Sequence, residues 1–224
     1  LMSRGYDYTD ATRLFGEPFI TKPPSSGGDG PQPPREPPLQ VEGFEIRITE
    51  AGRYIVTQVD GRAVPVTVEE YKERLAQKLV EEAPTLERFR AHWIIPQKRQ
   101  ILLSRLPDGG RSARVVREVE GMAEYDLYDV LGELGYGLAP KRRTERAEAF
   151  TYKHNQWLTE LPPPASATLK ALATQFGRVG TDGLESPQVF QLSEVVRAGG
   201  LPALKALGKP ADILLQTKER IFAA

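Results

Sequence analysis

Lys141, Arg142, Arg143 and Arg146 place four cations within six positions, and no other stretch of the chain concentrates basic charge in this way. Such a cluster can neutralise a few phosphates, each adding a salt-dependent increment of affinity. It can equally do no more than solvate a helix, because Glu145 and Glu148 lie within the same turns and can pair with the arginines at helical spacing. Contact with DNA or with a protein partner, and simple helix solvation, are the two readings of these four residues.

Other residue types suggest chemistry less directly. Glu69 with Glu70, Glu81 with Glu82, and Asp126 with Asp129 are carboxylate pairs of the kind that share acid and base work. Each pair sits at the start or end of an amphipathic helix, where acids cap amides or face water, and that account is the better one. His92 and His154 are far apart in sequence, and neither has a histidine or acidic partner at metal-ligand spacing. His154 falls on an apolar stripe and reads as a satisfied core residue, whereas His92, beside Trp93, reads as a helix-edge group. A phosphate-cradling Gly-x-x-x-x-Gly-Lys-Ser/Thr loop, a dinucleotide-binding Gly-x-Gly-x-x-Gly and a Gly-x-Ser-x-Gly nucleophile elbow do not occur. The residues therefore nominate no catalytic, cofactor-binding or metal-ligating position. Tyr54, Phe89, Trp93, Phe150 and Trp157 lie on periodic apolar positions, which fits core packing better than base stacking.

The elements that must carry these residues follow from periodicity. Phe44, Ile46 and Ile48 alternate with polar residues, as do Ile55, Thr57 and Val59 beyond a turn at Glu50-Ala51-Gly52, and Asp60-Gly61 leads to an edge strand around Pro65. This predicts a small antiparallel β-meander over about 44–66. Thr67 and Glu70 then form a capping-box pair, and the pattern is helical from about 67 to 222. Apolar stripes mark the successive helices: Val68-Tyr71-Leu75-Leu79, Leu86-Phe89-Trp93-Ile94, Val115-Val116-Val119-Met122 and Leu127-Val130-Leu131-Leu134. The longest stripe runs from Ala147 through Phe150, His154 and Trp157 to Leu161 and stops at Pro162. Leu169 to Phe176, Leu201 to Leu207 and a helix opened by Pro210 complete the series. The fold class is mainly α, a multi-helix domain preceded by the meander.

Thirty basic against thirty acidic residues leave no net charge, so the chain as a whole has no pull on nucleic acid or membrane. Without cysteine there is neither a disulfide nor a thiolate metal site. No apolar run approaches about 18 residues, so a cytoplasmic protein with no membrane partner is expected. Eight of the nineteen prolines fall between Pro18 and Pro38, with Ser25-Ser26-Gly27-Gly28 among them. Such a stretch resists helix and central strand alike. Residues 22–40 are therefore expected to be a linker, and 41–224 a helical domain. Residues 1–21, with Tyr6, Tyr8, Leu14, Phe15 and Phe19, hold apolar material suited to packing on a neighbouring body.

One run is recognisable. Glu124 to Leu131, then Tyr136-Gly137-Leu138-Ala139-Pro140, then Arg143, Glu145, Arg146 and Ala147, resembles the C-terminal domain of type I restriction enzyme R subunits (HsdR, EcoEI-like). That family carries an Asp-Leu-aromatic-Asp-x-Leu helix, an aromatic-Gly-x-x-Pro turn and a Thr-Arg-x-x-Arg helix start in this order. Arg142 stands where the threonine would be, so the usual hydroxyl cap of that helix is in question, while Arg143 and Arg146 keep the paired arginines. The meander, the Tyr71 helix, the Phe89 and Trp93 helix and Gln156-Trp157-Leu158 also match the family's plan.

The resemblance implies that residues 1–21 are the tail of a helicase-like motor domain. It also implies that the helical domain docks the motor on the methyltransferase (M) and specificity (S) subunits of a bacterial or archaeal restriction system, without catalysis of its own. The full-length subunit implied is an ATP-dependent site-specific deoxyribonuclease and DNA translocase, with ATP and magnesium held only upstream. The alternative is a DNA-binding domain that guides duplex DNA to the motor. A linker of about 17 residues in extended geometry reaches roughly 50 Å, which would let the two bodies move relative to each other.

Overall fold

The structure is a computed structural model, and it describes residues 39–49, 52–59 and 62–224. The 1–21 segment, nearly all of the 22–40 linker and the turns at Glu50-Ala51 and Asp60-Gly61 lie outside the described residues. What is described is mainly α-helical, with one four-stranded antiparallel sheet at its start.

The sheet consists of β1 (Leu39–Val41), β2 (Phe44–Thr49), β3 (Gly52–Val59) and β4 (Arg62–Thr67), paired in sequence order. It is one strand larger than the predicted meander, because Leu39 pairs with Ile46 and Val41 with Phe44. The signal was short. Only two apolar residues mark β1, directly after Pro37-Pro38, and an edge strand tolerates prolines at its start. Leu39 and Gln40, assigned to the linker by composition, thus belong to the sheet. The two-residue connection Glu42-Gly43 has φ of 51° and 83°, the paired positive values that match a tight hairpin to strand twist.

Phe44, Ile46, Ile55, Thr57 and Val66 are buried and form the sheet's inner face. Ile48, expected to join them, is 71 % exposed at the strand end opposite Arg53, itself exposed. Alternation gives the face of a strand, but not how far along it a covering layer extends.

Helix α1 (Val68–Glu82) opens with the anticipated capping box, in which Thr67 Oγ1 accepts from the Glu70 amide and Glu70 Oε2 accepts from the Thr67 amide. It buries Val68, Tyr71, Leu75 and Leu79. Then come α2 (Leu86–Trp93), α3 (Pro96–Arg105), a 3-10 turn at Pro107–Gly110 and α4 (Ser112–Val119). Within that turn Asp108 ties three elements together. Its carboxylate accepts from Tyr71 Oη at 2.6 Å and from Thr57 Oγ1 at 3.2 Å. Burial, followed by the Asp108 contact, pushes the Tyr71 phenol far up, so it remains a neutral donor.

The second half contains α5 (Leu127–Tyr136), α6 (Arg143–Lys153), α7 (Asn155–Glu160) and α8 (Pro163–Glu185). A 3-10 turn at Pro187–Gln191, α9 (Ser193–Ala198), α10 (Gly200–Lys205) and α11 (Pro210–Ala223) complete it. The long predicted stripe from Ala147 to Leu161 is two helices, broken at His154, whose φ of −109° and ψ of 23° leave the helical region. Phe150 and Leu158 are still buried on either side of the break. Periodicity survives such a break because the helix restarts in nearly the same phase. The prolines that end this stripe also start α8, with Pro163 in its first turn, where a missing amide costs nothing.

The aromatic residues assemble at the centre. Phe89 stacks on Tyr128 at 5.1 Å with rings 6° apart, and Tyr128 meets Phe222 at 4.5 Å. Phe89, Trp93 and Phe150 are fully enclosed, as core packing requires, while Trp157 is half-buried with the Arg220 guanidinium 3.9 Å over its ring.

Candidate functional site

The predicted basic cluster is built on the turn between α5 and α6. Asp126 begins that turn's scaffold: it caps α5 by accepting from the Tyr128 amide at 3.0 Å, and its other oxygen accepts from both the amide and the hydroxyl of Thr181 at 2.9 Å. Those donors belong to a kink in α8 at Gly180, which has φ of 77° and ψ of −164°. A Cβ on Gly180 would lie 2.8 Å from Asp126 Oδ2, so glycine is required both by conformation and by space. Burial raises the Asp126 carboxyl above its ordinary range, with the amide hydrogen bonds working against that rise.

Asp129, one turn along α5, is also inside. It is 0 % exposed and takes two hydrogen bonds from Arg146, Nε to Oδ2 and Nη2 to Oδ1, each 2.7 Å. The remaining Arg146 nitrogen, Nη1, donates to the carbonyls of Ile221 and Phe222 at 3.3 and 3.4 Å. The guanidinium also lies 5.0 Å from the Tyr128 ring centroid. This planar fork joins α5, α6 and α11. The capping role expected of Asp126 is what the structure shows, in a buried setting, while Asp129, rather than facing water, is a buried counterion.

The four predicted contact residues consequently separate. Arg146 is 2 % exposed and fully engaged within the core, so it presents no charge at the surface. Lys141 is half-buried; its amide donates to Asp129 Oδ1 at 2.9 Å and its Nζ to the Ala224 carbonyl at 2.6 Å. Arg143, also half-buried, donates from Nη1 to the Tyr125 carbonyl at 3.2 Å. Arg142 alone of the four is exposed, in a surface pair with Glu124 at 3.2 Å. Its helix has no side-chain cap. Instead Glu145 Oε2 accepts from the Arg142 amide at 2.7 Å, which leaves half of a capping box where a threonine would have supplied the other half.

Spacing contained a signal for the inward turn of Arg146. It stands four residues before Phe150 and next to Ala147, on the apolar stripe of α6, and an arginine on such a stripe is placed to enter the core with a carboxylate. Arg99 obeys the same logic, one turn before Leu102 on α3. It is 5 % exposed and pairs bidentately with Glu185 at 2.9 and 2.5 Å, and Lys218 Nζ reaches the same carboxylate at 2.6 Å. Burial would raise the Glu185 carboxyl, but the bonds from Arg99 and Lys218 outweigh it and hold the group below its ordinary range.

The histidines carry no cluster. His92 is shifted down by burial and by Arg88, Lys98 and Arg105 around it. His154 is half-buried, but its Nε2 has no hydrogen-bond partner, so the expectation of a satisfied core histidine does not hold. Among the described residues no group of three or more His, Asp or Glu is placed to hold a metal ion, and no helix is long and apolar enough to cross a membrane.

Two clefts of about 720 Å³ flank the α6–α8 contact. One is largely apolar in surface, lined by Ala147, Thr151, Tyr152 and Gly177, with Glu148 and Arg178 also among its lining residues. Tyr152 stands over it 85 % exposed, the most exposed large aromatic among the described residues. The other is polar and rich in arginine.

The chain is 26 % identical, over 179 residues, to the type I restriction enzyme EcoAI endonuclease subunit of Escherichia coli. The match covers 78 % of this chain and 21 % of that protein, so the chain spans about a fifth of the length of the curated relative it matches. No family model and no solved structure matches. The similarity is a distant relation to a type I restriction endonuclease subunit.

Proposed function

We propose that the chain is a non-catalytic assembly domain of an ATP-dependent type I restriction endonuclease subunit, working in the cytoplasm of a bacterial or archaeal cell. It docks the nuclease and translocase motor on the methyltransferase and specificity subunits. The distant similarity to an endonuclease subunit supports the setting. One observation carries the docking role: the apolar groove between α6 and α8, floored by Ala147 and Gly177 and edged by the exposed Tyr152. An aromatic ring left in water beside an apolar groove is the arrangement of an anchor awaiting a partner surface.

The alternative, a domain that guides duplex DNA along Lys141, Arg142 and Arg143, draws less support. Lys141 and Arg143 spend donors on protein carbonyls, and Arg142 faces Glu124. Gel filtration of the chain with a methyltransferase–specificity subunit complex tests the docking role. Co-elution is expected, and a chain that never co-elutes, with or without DNA, overturns it.

A further inference from the structure

The second cleft lies where α3, α4, the start of α6 and the kinked end of α8 come together. Five arginines line it: Arg99, Arg114, Arg117, Arg143 and Arg178. Three carboxylates face them: Glu42, Asp126 and Asp182. Two of these acids are already committed. Asp126 accepts three hydrogen bonds from Tyr128 and Thr181, and Asp182, 75 % exposed at the rim, lies 3.6 Å from Arg99. Two of the arginines are likewise engaged, Arg99 by Glu185 and Arg178 by Glu194.

The other three are held more loosely, and Arg143 has no ion pair. Arg114 has Glu42 only at 3.9 Å, Arg117 has its neighbour Glu118 at 3.3 Å, and Arg143 donates to one carbonyl. Arg114 and Arg117 are three residues apart on α4 and so share a face of that helix. The Arg143 stem is held against the Gly180 kink, with its Cδ 3.1 Å from where a Cβ would be.

The same wall contains donors that the protein leaves unused. Trp93 Nε1, Arg117 Nε and Arg143 Nε are enclosed and have no hydrogen-bond partner. All three residues line this one cleft, and Trp93 is 1 % exposed. Buried N–H groups without an acceptor are rare, and three of them among guanidinium groups mark a place for an acceptor-rich anion. A tetrahedral oxyanion offers several equivalent oxygens to donors that come from different helices, and the guanidinium fork matches its geometry. The volume, about 720 Å³, exceeds that of the anion alone and leaves room for the group attached to it.

We propose that this cleft binds a phosphate group, with Arg114, Arg117 and Arg143 as its cationic ligands. Two sources share that chemistry, a small phosphorylated molecule and the backbone of a nucleic acid. The site stands independently of the docking groove, since Tyr152 is not among the residues that line it.

The test is titration of the 224-residue chain by calorimetry with inorganic phosphate, then with a short duplex DNA, at several salt concentrations. Phosphate is expected to bind, and the Arg117→Gln/Arg143→Gln variant to bind it at least about tenfold more weakly, while Arg142→Gln, outside the cleft, matches the parent. Duplex binding that is lost in the same variant, with a shallower salt dependence, assigns the phosphate to a nucleic-acid backbone. Phosphate binding without duplex binding assigns it to a small ligand. Arg114→Gln/Arg117→Gln, both on α4, reads the same loss should the first variant fail to fold. A parent chain that binds neither probe, or folded variants that bind phosphate as the parent does, overturns the proposal.

Discussion

Arg146 and Asp129 meet through two parallel hydrogen bonds of 2.7 Å, with the arginine 2 % and the aspartate 0 % exposed. The pair turns a stretch of sequence that looked like surface charge into an internal clasp. Asp129 is fixed by its position on α5, Arg146 by its position on α6, and the arginine's third nitrogen reaches the end of α11. Two consecutive helices and the distant α11 are held in register by one planar group, which lies 5.0 and 5.8 Å from the Tyr128 and Phe222 ring centroids.

Removing one member of this pair leaves the other charged, desolvated and alone. Arg146→Met and Asp129→Leu are each expected to lower unfolding free energy by about 3–5 kcal/mol, measured by urea denaturation. The double variant removes both charges and is expected to cost less than the sum of the two, giving a positive coupling in the cycle. A single variant within about 1 kcal/mol of the parent would show that the clasp is dispensable.

The apolar periodicity that defines α1 and α2 was legible because every buried position on them is apolar and recurs at helical spacing, and α5 kept the same stripe despite its buried Asp129. Arg146 and Arg99 were not legible in the same way. Side-chain type assigns a cation to water, and only its phase relative to Phe150 or Leu102 shows that it points inward. The break at His154 was hidden for the opposite reason, since the stripe continues through it unchanged. Strand β1 escaped because two apolar residues after a proline run carry almost no pattern, and its partner in β2 supplies the order. As for the clefts, neither could be read from the chain, because each depends on which helices meet. Trp93, the Arg114 and Arg117 pair, and Arg143 belong to three separate helices, and nothing in the spacing between those helices relates them.

Gly180 offers a test of the connection between Asp126 and α8. Its φ of 77° and the 2.8 Å approach of Asp126 Oδ2 exclude a side chain on two independent grounds. Gly180→Ala is expected to cost about 1–3 kcal/mol. Hydrogen exchange should show the loss concentrated at the Thr181 amide, whose acceptor is Asp126. An unchanged midpoint with unchanged protection at Thr181 would contradict this.

Glu185 sets a pH dependence. Burial acts to raise its carboxyl and the bonds from Arg99 and Lys218 act to lower it, with a net fall below the ordinary value of 4.5. A group whose folded value is depressed binds fewer protons folded than unfolded, so it stabilises the fold above the unfolded value and loses that contribution as pH falls through the folded one. Glu185→Gln should therefore be less stable than the parent at neutral pH, and the difference should shrink progressively below pH 4.5. Thermal melts of both proteins from neutral to acid pH check the sign; a gap that widens on acidification would reverse it.

Tyr152 separates docking from folding. Its side chain is 85 % exposed, so Tyr152→Ala should leave stability within about 0.5 kcal/mol of the parent. If the α6–α8 groove receives the methyltransferase assembly, the ring is a central anchor, and its loss should weaken association about tenfold or more. Placing a charge on the groove floor, as in Ala147→Glu, is less clean, because Ala147 is itself nearly buried and the variant would disturb the fold. Thr151→Arg, on the groove wall, adds a second perturbation whose melting temperature can be compared with that of Tyr152→Ala. Calorimetric titration into the methyltransferase–specificity complex decides the matter. Folded variants that bind as tightly as the parent would move the docking surface away from this groove, whereas selective loss in both would fix it there.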